Sequence, residues 1–102
     1  MFVVHVDITL KPQSQQALAK TYFDIFRPAI SAQPGFVDVQ LLHSREDDNR
    51  YWLTIVFDRQ SSQQTWVATD LHQEVWPQME AHYADYPVSF YDTVERSGAS
   101  SS

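Results

Sequence analysis

At 102 residues, 43% hydrophobic and 14% aromatic, the chain is long enough for one packed domain and too apolar to be disordered. Seven Lys and Arg stand against 13 Asp and Glu, and the net charge of −6 leaves no basic footprint for nucleic acid. The lack of cysteine removes disulfides, thiolate chemistry and sulfur-ligated metals, and two glycines are too few for a phosphate-cradling loop.

The opening residues alternate too much for a signal peptide and carry no basic n-region. No apolar run approaches the ~20 residues of a membrane span, so a soluble cytoplasmic protein is expected. From Phe2 to Leu10 the period is two: Phe2, Val4, Val6, Ile8 and Leu10 share one face, and Val3, His5, Asp7 and Thr9 share the other. That is a strand with one apolar face, ended by Lys11-Pro12. Ser14 is placed to cap a helix to about Ala32, with the stripe Leu18, Tyr22, Ile25, Phe26 and Ile30; Pro28 should loosen its last turn and Gln33-Pro34-Gly35 should end it.

Phe36 to His43 reads as a second strand and Tyr51 to Asp58 as a third, strongly apolar and therefore central. The loop between them carries Glu46-Asp47-Asp48, but without the glycine and ligand spacing of a calcium loop it reads as a solvated hairpin tip. After a short connection, Ser61 or Ser62 can cap a further helix. One unbroken helix from Gln63 to Met79 would turn Trp66 away from Val67, Leu71 and Val75 and leave an indole in water. A break at Thr69-Asp70 removes that conflict, with Asp70 capping a second segment and Gln73 completing a capping box. His72 and Trp76 then stand one turn apart, and Pro77 should kink the chain beside Trp76. Ala84 to Pro87 reads as a loop and Val88 to Glu95 as a fourth strand. Residues 1–95 form the domain, and the Ser-rich tail 96–102 is expected to be disordered.

The order β-α-β-β-α-β describes an α+β, ferredoxin-like split unit: an antiparallel sheet with two helices on one face. The opposite face, with Val3 and His5, is too apolar for water, so a homodimer pairing sheet to sheet is expected.

His72 can act as a general base, since an unperturbed imidazole titrates near ~6.5, or it can be a hydrogen-bonded surface histidine. Trp66 and Trp76 are either walls that stack on a flat substrate or packing residues, and Tyr22, Phe26 and Tyr83 are further lining candidates. His5 belongs to the interface face, His43 lies in a strand and His82 should be exposed. The four histidines lack the spacing of a zinc site, and no metal is expected. Asp7 and Asp38 are strand carboxylates that need either burial as acids or a cross-strand partner. No Gly-x-Ser-x-Gly or Cys-His arrangement supports hydrolase chemistry.

The turn Gln33-Pro34-Gly35-Phe36, the strand ending Phe57-Asp58, the Ser61-Ser62 step, Trp66 and the Thr69-Asp70 break together resemble the antibiotic biosynthesis monooxygenase family, over about residues 1–95. The resemblance implies a dimeric α+β barrel. It also implies an activity drawn from that family, which includes cofactor-independent oxygenases of polyphenols or quinols, haem-degrading enzymes and a sugar-phosphate isomerase. Trp66 falls where the haem-degrading branch has its pocket tryptophan, but Val6 replaces that branch's asparagine and Trp76 its iron-ligating histidine, so haem is not expected. Many other members have a histidine directly after the helix break. Here Leu71 takes that place and His72 follows, a rotation of about 100° on a helix. The resemblance therefore implies an oxygenase without a bound cofactor, using molecular oxygen on a small aromatic, quinol or polyketide-type molecule, with His72 as base. The alternatives are a dimeric small-molecule-binding module without activity, and a structural dimer whose pocket is filled by its own side chains.

Overall fold

The computed structural model describes residues 1–95. Strand β1 (Phe2–Leu10) runs down the middle of a five-stranded antiparallel sheet. One side of it pairs with β3 (Arg50–Phe57), which in turn pairs with β2 (Phe36–His43). The other side carries β5 (Val88–Asp92) along Phe2–Val6 and the short β4 (Tyr83–Asp85) at Thr9–Leu10. The alternation of β1 is realised in full: Phe2, Val4, Val6, Ile8 and Leu10 are all buried against the helices. As expected, β3 is interior, with a neighbour on each side.

The fourth strand is split. The chain pairs with β1 first as β4, which periodicity did not predict, and again as β5, which ends at Asp92 and not at Glu95. Pro87 lies at the interruption, and its carbonyl accepts from the Asp7 amide at 3.0 Å, so β1 keeps its ladder across the gap. The reading of 96–102 as a disordered tail lies outside the described residues.

The first helical stretch is three pieces: α1 (Gln15–Thr21), a π turn (Tyr22–Phe26) and α2 (Arg27–Ser31). Ser14 occupies the cap position through its backbone, the Leu18 amide donating to its carbonyl at 2.8 Å, and its hydroxyl makes no capping bond. Pro28 has no N–H to offer Asp24, and an α turn would press its ring on that carbonyl. The loosening predicted at Pro28 falls one turn earlier, where the Arg27 amide reaches back five residues to the Tyr22 carbonyl. Leu18, Tyr22, Phe26 and Ile30 all point into the core.

Gly35 ends this region at φ +79°, where a Cβ would overlap Ser62 and the Asp58 carboxylate. Its carbonyl also accepts from the Asp58 amide at 2.8 Å, tying the turn to the end of β3.

Two further helices follow, α3 (Gln60–Val67) and α4 (Asp70–Glu80), separated where the buried Trp66 requires. Neither Ser61 nor Ser62 caps α3. Arg59 holds the cap position, while Ser62 donates to the Asp58 carboxylate. Thr69 and not Asp70 caps α4: its Oγ1 accepts from the His72 amide at 3.1 Å. Gln73 bonds the Val67 carbonyl at 3.0 Å instead of closing a capping box. Helix α4 continues through Pro77 to Glu80.

All helices lie on one face of the sheet, a ferredoxin-like α+β arrangement. No helix among the described residues is long and apolar enough to cross a membrane.

Candidate functional site

A cavity of about 170 Å³ lies between the sheet and the paired helices α3 and α4. Its floor is the apolar face of the central strands: Val4 and Val6 from β1, Ile55 and Phe57 from β3. Phe26, turned inward at the end of the π turn, closes one side. Trp66 and Val67 from α3, with His72 and Trp76 from α4, form the roof, and Gln63 joins them from the first turn of α3. Val88 and Phe90 of β5 form the rim; at 41% and 57% exposure they mark the side open to solvent.

The hinge between α3 and α4 is what brings the roof together. Thr69 Oγ1 donates to the Trp66 carbonyl at 2.7 Å while accepting the His72 amide. One hydroxyl thus holds the last turn of α3 and the first of α4. The result is an aromatic cluster: the Trp66 and His72 rings meet edge to face at 5.1 Å, and His72 lies nearly parallel to Trp76 at 6.1 Å. Phe26 contacts both indoles, at 6.5 Å and 5.7 Å. Trp66 is 3% exposed.

His72 is the titratable group of this cavity. Burial among the rings pushes its pKa below the usual histidine value, and the charge of Glu80 opposes this only in part. Nδ1 is buried and has no hydrogen-bond partner among the described residues. Burial thus favours the neutral imidazole, the form that can accept a proton.

Of the residues proposed from sequence, Trp66, His72, Trp76 and Phe26 line one cavity. Tyr22 and Tyr83 do not. The Tyr22 hydroxyl turns toward the Val39 carbonyl of β2, at 3.5 Å. Tyr83 sits behind Trp76, edge to face at 5.9 Å, with a buried, unpartnered hydroxyl whose pKa burial pushes far up. Gln63, Val88 and Phe90 were not foreseen. Gln63 lies three residues before Trp66 and so shares its helix face, which is the signal that could have found it.

The remaining polar candidates lie elsewhere. On the far face of the sheet Asp7 forms a bidentate pair with Arg50, at 2.8 and 2.7 Å, so the cross-strand partner is the outcome there; Asp38 is exposed and not a buried acid. His5 sits beside Thr54, Trp52 and Tyr91 on that same face. His43 stacks on Tyr51 at 4.3 Å. His82, expected in solvent, is half-buried with Nε2 2.9 Å from the Thr21 hydroxyl. Among the described residues no three His, Asp or Glu side chains gather as metal ligands, and Asp47 of the acidic loop accepts its own turn's Asn49 amide.

The wider comparisons bear on the fold. SnoaB, a cofactor-independent oxygenase from Streptomyces nogalater, seen as a single-site mutant, superposes with a TM-score of 0.80 at 18% identity, over 93% of this chain and 95% of that one. A conserved protein from Methanosarcina mazei Go1 gives 0.78 at 13% identity, over 88% and 89%. A crystal structure of an antibiotic biosynthesis monooxygenase gives 0.77 at 18%, over 93% and 100%. At such identities the likeness is one of fold. No curated protein matches the sequence. The sequence model for antibiotic biosynthesis monooxygenases, however, matches residues 1–78, about three quarters of the chain, and the chain belongs to that family.

Proposed function

We propose that the protein is a cofactor-independent monooxygenase of a small aromatic quinol or phenol, bound between the sheet and α3–α4. The observation that carries this reading is a neutral, desolvated imidazole set edge-on to one indole and parallel to another inside an apolar cavity. Such a site suits a flat, electron-rich ring with an ionisable hydroxyl.

In the proposed reaction His72 takes a hydroxyl proton, and the substrate anion passes one electron to molecular oxygen. Superoxide and the substrate radical then join through a new C–O bond at a ring carbon. The proton held by His72 goes to the peroxide. Loss of water, using the hydrogen of that ring carbon, breaks the O–O bond and leaves a carbonyl. For a quinol the sum is quinol plus oxygen giving hydroxyquinone plus water, all four electrons coming from the ring. The protein contributes a proton acceptor, orientation and exclusion of water.

The working unit we propose is a homodimer joined through the far face of the sheet. Val3, Val56, Trp52 and Tyr91 crowd that face, and Tyr91 is 56% exposed.

Oxygen uptake with a panel of quinols, comparing the wild type with His72→Ala and Trp66→Phe, tests the proposal. Uptake lost in His72→Ala is expected; unchanged turnover in that variant removes His72 as the base. The second reading, a binding module without chemistry, is favoured by a His72 Nδ1 that is buried with no partner to orient the ring among the described residues. Tight binding without oxygen uptake for any member of the panel would select it.

A further inference from the structure

Apart from the indole N–H groups, two side chains give the cavity its polarity, and they come from different helices. His72 enters from α4 and Gln63 from α3; the rest of the lining is aliphatic or aromatic. Gln63 is half-buried, and its amide finds no hydrogen-bond partner among the described residues. The amide is not sealed from solvent, and a ligand entering the cavity can take the place of water on it.

The room is small. A cavity of about 150 Å³ holds one benzene ring, so the 170 Å³ here takes a single substituted ring. Further fused rings would have to leave across Val88 and Phe90, at the exposed rim.

We infer that the cavity selects a single-ring aromatic carrying two oxygen functions, one set against the His72 imidazole and the other against the Gln63 amide. A primary amide suits an oxygen that changes character during oxidation. Its carbonyl accepts from a hydroxyl, and its NH2 donates to the carbonyl that replaces it. Glutamate could do only the first and lysine only the second. The inference rests on reading this cavity as the substrate site and adds to it the ring count and the second polar contact.

The test separates binding from turnover. Isothermal titration under nitrogen would compare hydroquinone, phenol, 1,4-dihydroxynaphthalene and a three-ring dihydroxyanthrone, with the wild type and with Gln63→Leu and Gln63→Asn. The expected result is that hydroquinone binds more tightly than the three-ring compound. Gln63→Leu should weaken hydroquinone about tenfold while leaving phenol unchanged, and Gln63→Asn should restore part of the loss. The inference is overturned if the three-ring compound binds tightest, if Gln63→Leu weakens both single-ring ligands equally or neither, or if no ligand binds. Selective binding of hydroquinone with no oxygen uptake would sink the proposed reaction and leave the inference standing.

Discussion

The two faces of the sheet are built from the same strands and do opposite things. Toward the helices, β1 and β3 present Val4, Val6, Ile8, Leu53, Ile55 and Phe57, all buried, and no charged side chain. Toward the other side, the same strands present His5, Asp7, Trp52 and Thr54, where a guanidinium spans from the Asp7 carboxylate to the Trp52 ring. The helix face packs within one chain, and a cavity remains where Trp66, His72 and Trp76 roof it. The far face is amphipathic and closes nothing by itself. Stability of the chain is therefore expected to reside on the first face and assembly on the second.

The largest effect is expected from Phe26→Ala. It removes a fully buried ring between both indoles and should cost about 3–5 kcal/mol in urea unfolding. A loss below 1 kcal/mol would mean that the roof collapses onto the sheet without it. Gly35→Ala comes next. The left-handed backbone and the overlap with Ser62 and Asp58 predict a loss of about 1–3 kcal/mol, read from the same titration. Thr69→Val deletes the hydroxyl that joins α3 to α4. It should cost about 1 kcal/mol and, more tellingly, shift the emission of Trp66 and Trp76, while Thr69→Ser should restore the wild-type spectrum.

The pH dependence is subtler. His72 binds its proton at lower pH in the folded chain than in the unfolded one, because burial disfavours the imidazolium. Its contribution is thus fully present above ~6.5 and declines as pH falls through that value toward the lowered folded pKa. The difference in stability between wild type and His72→Gln should drift by that sign between pH 7 and 5; a flat difference would mean that His72 is as hydrated as a free histidine. The smallest effect belongs to the far face. Asp7→Asn breaks a partly exposed pair and should leave the stability of dilute protein nearly unchanged. If instead it changes the sedimentation coefficient with protein concentration, the pair lies within the interface between copies.

The sequence disclosed the sheet more readily than the site. A period of two over nine residues in β1 admits one reading, and the indole of Trp66 could be buried only if the helix broke near Thr69. It pointed to Asp70 as the cap where Thr69 serves, because both residue types can cap, and the Thr69 hydroxyl also reaches the Trp66 carbonyl. Strand β4 escaped notice because three residues are too few to show alternation. Gln63 escaped because a glutamine in the first turn of a helix ordinarily faces water. Tyr22 was misplaced by the π turn, which leaves the apolar stripe intact but changes what each member faces: Tyr22 looks to β2 and Phe26 to the cavity.

That turn has a further consequence, in the arithmetic of chain length. The Arg27 amide reaches the Tyr22 carbonyl across five residues, one more than an ordinary helix spends on the same bond. Phe23, half exposed with Arg27 lying over its ring, is the surplus residue. The turn thus spends one residue beyond the α count, and that residue lets Tyr22 face β2 and Phe26 face the cavity within one helical stretch.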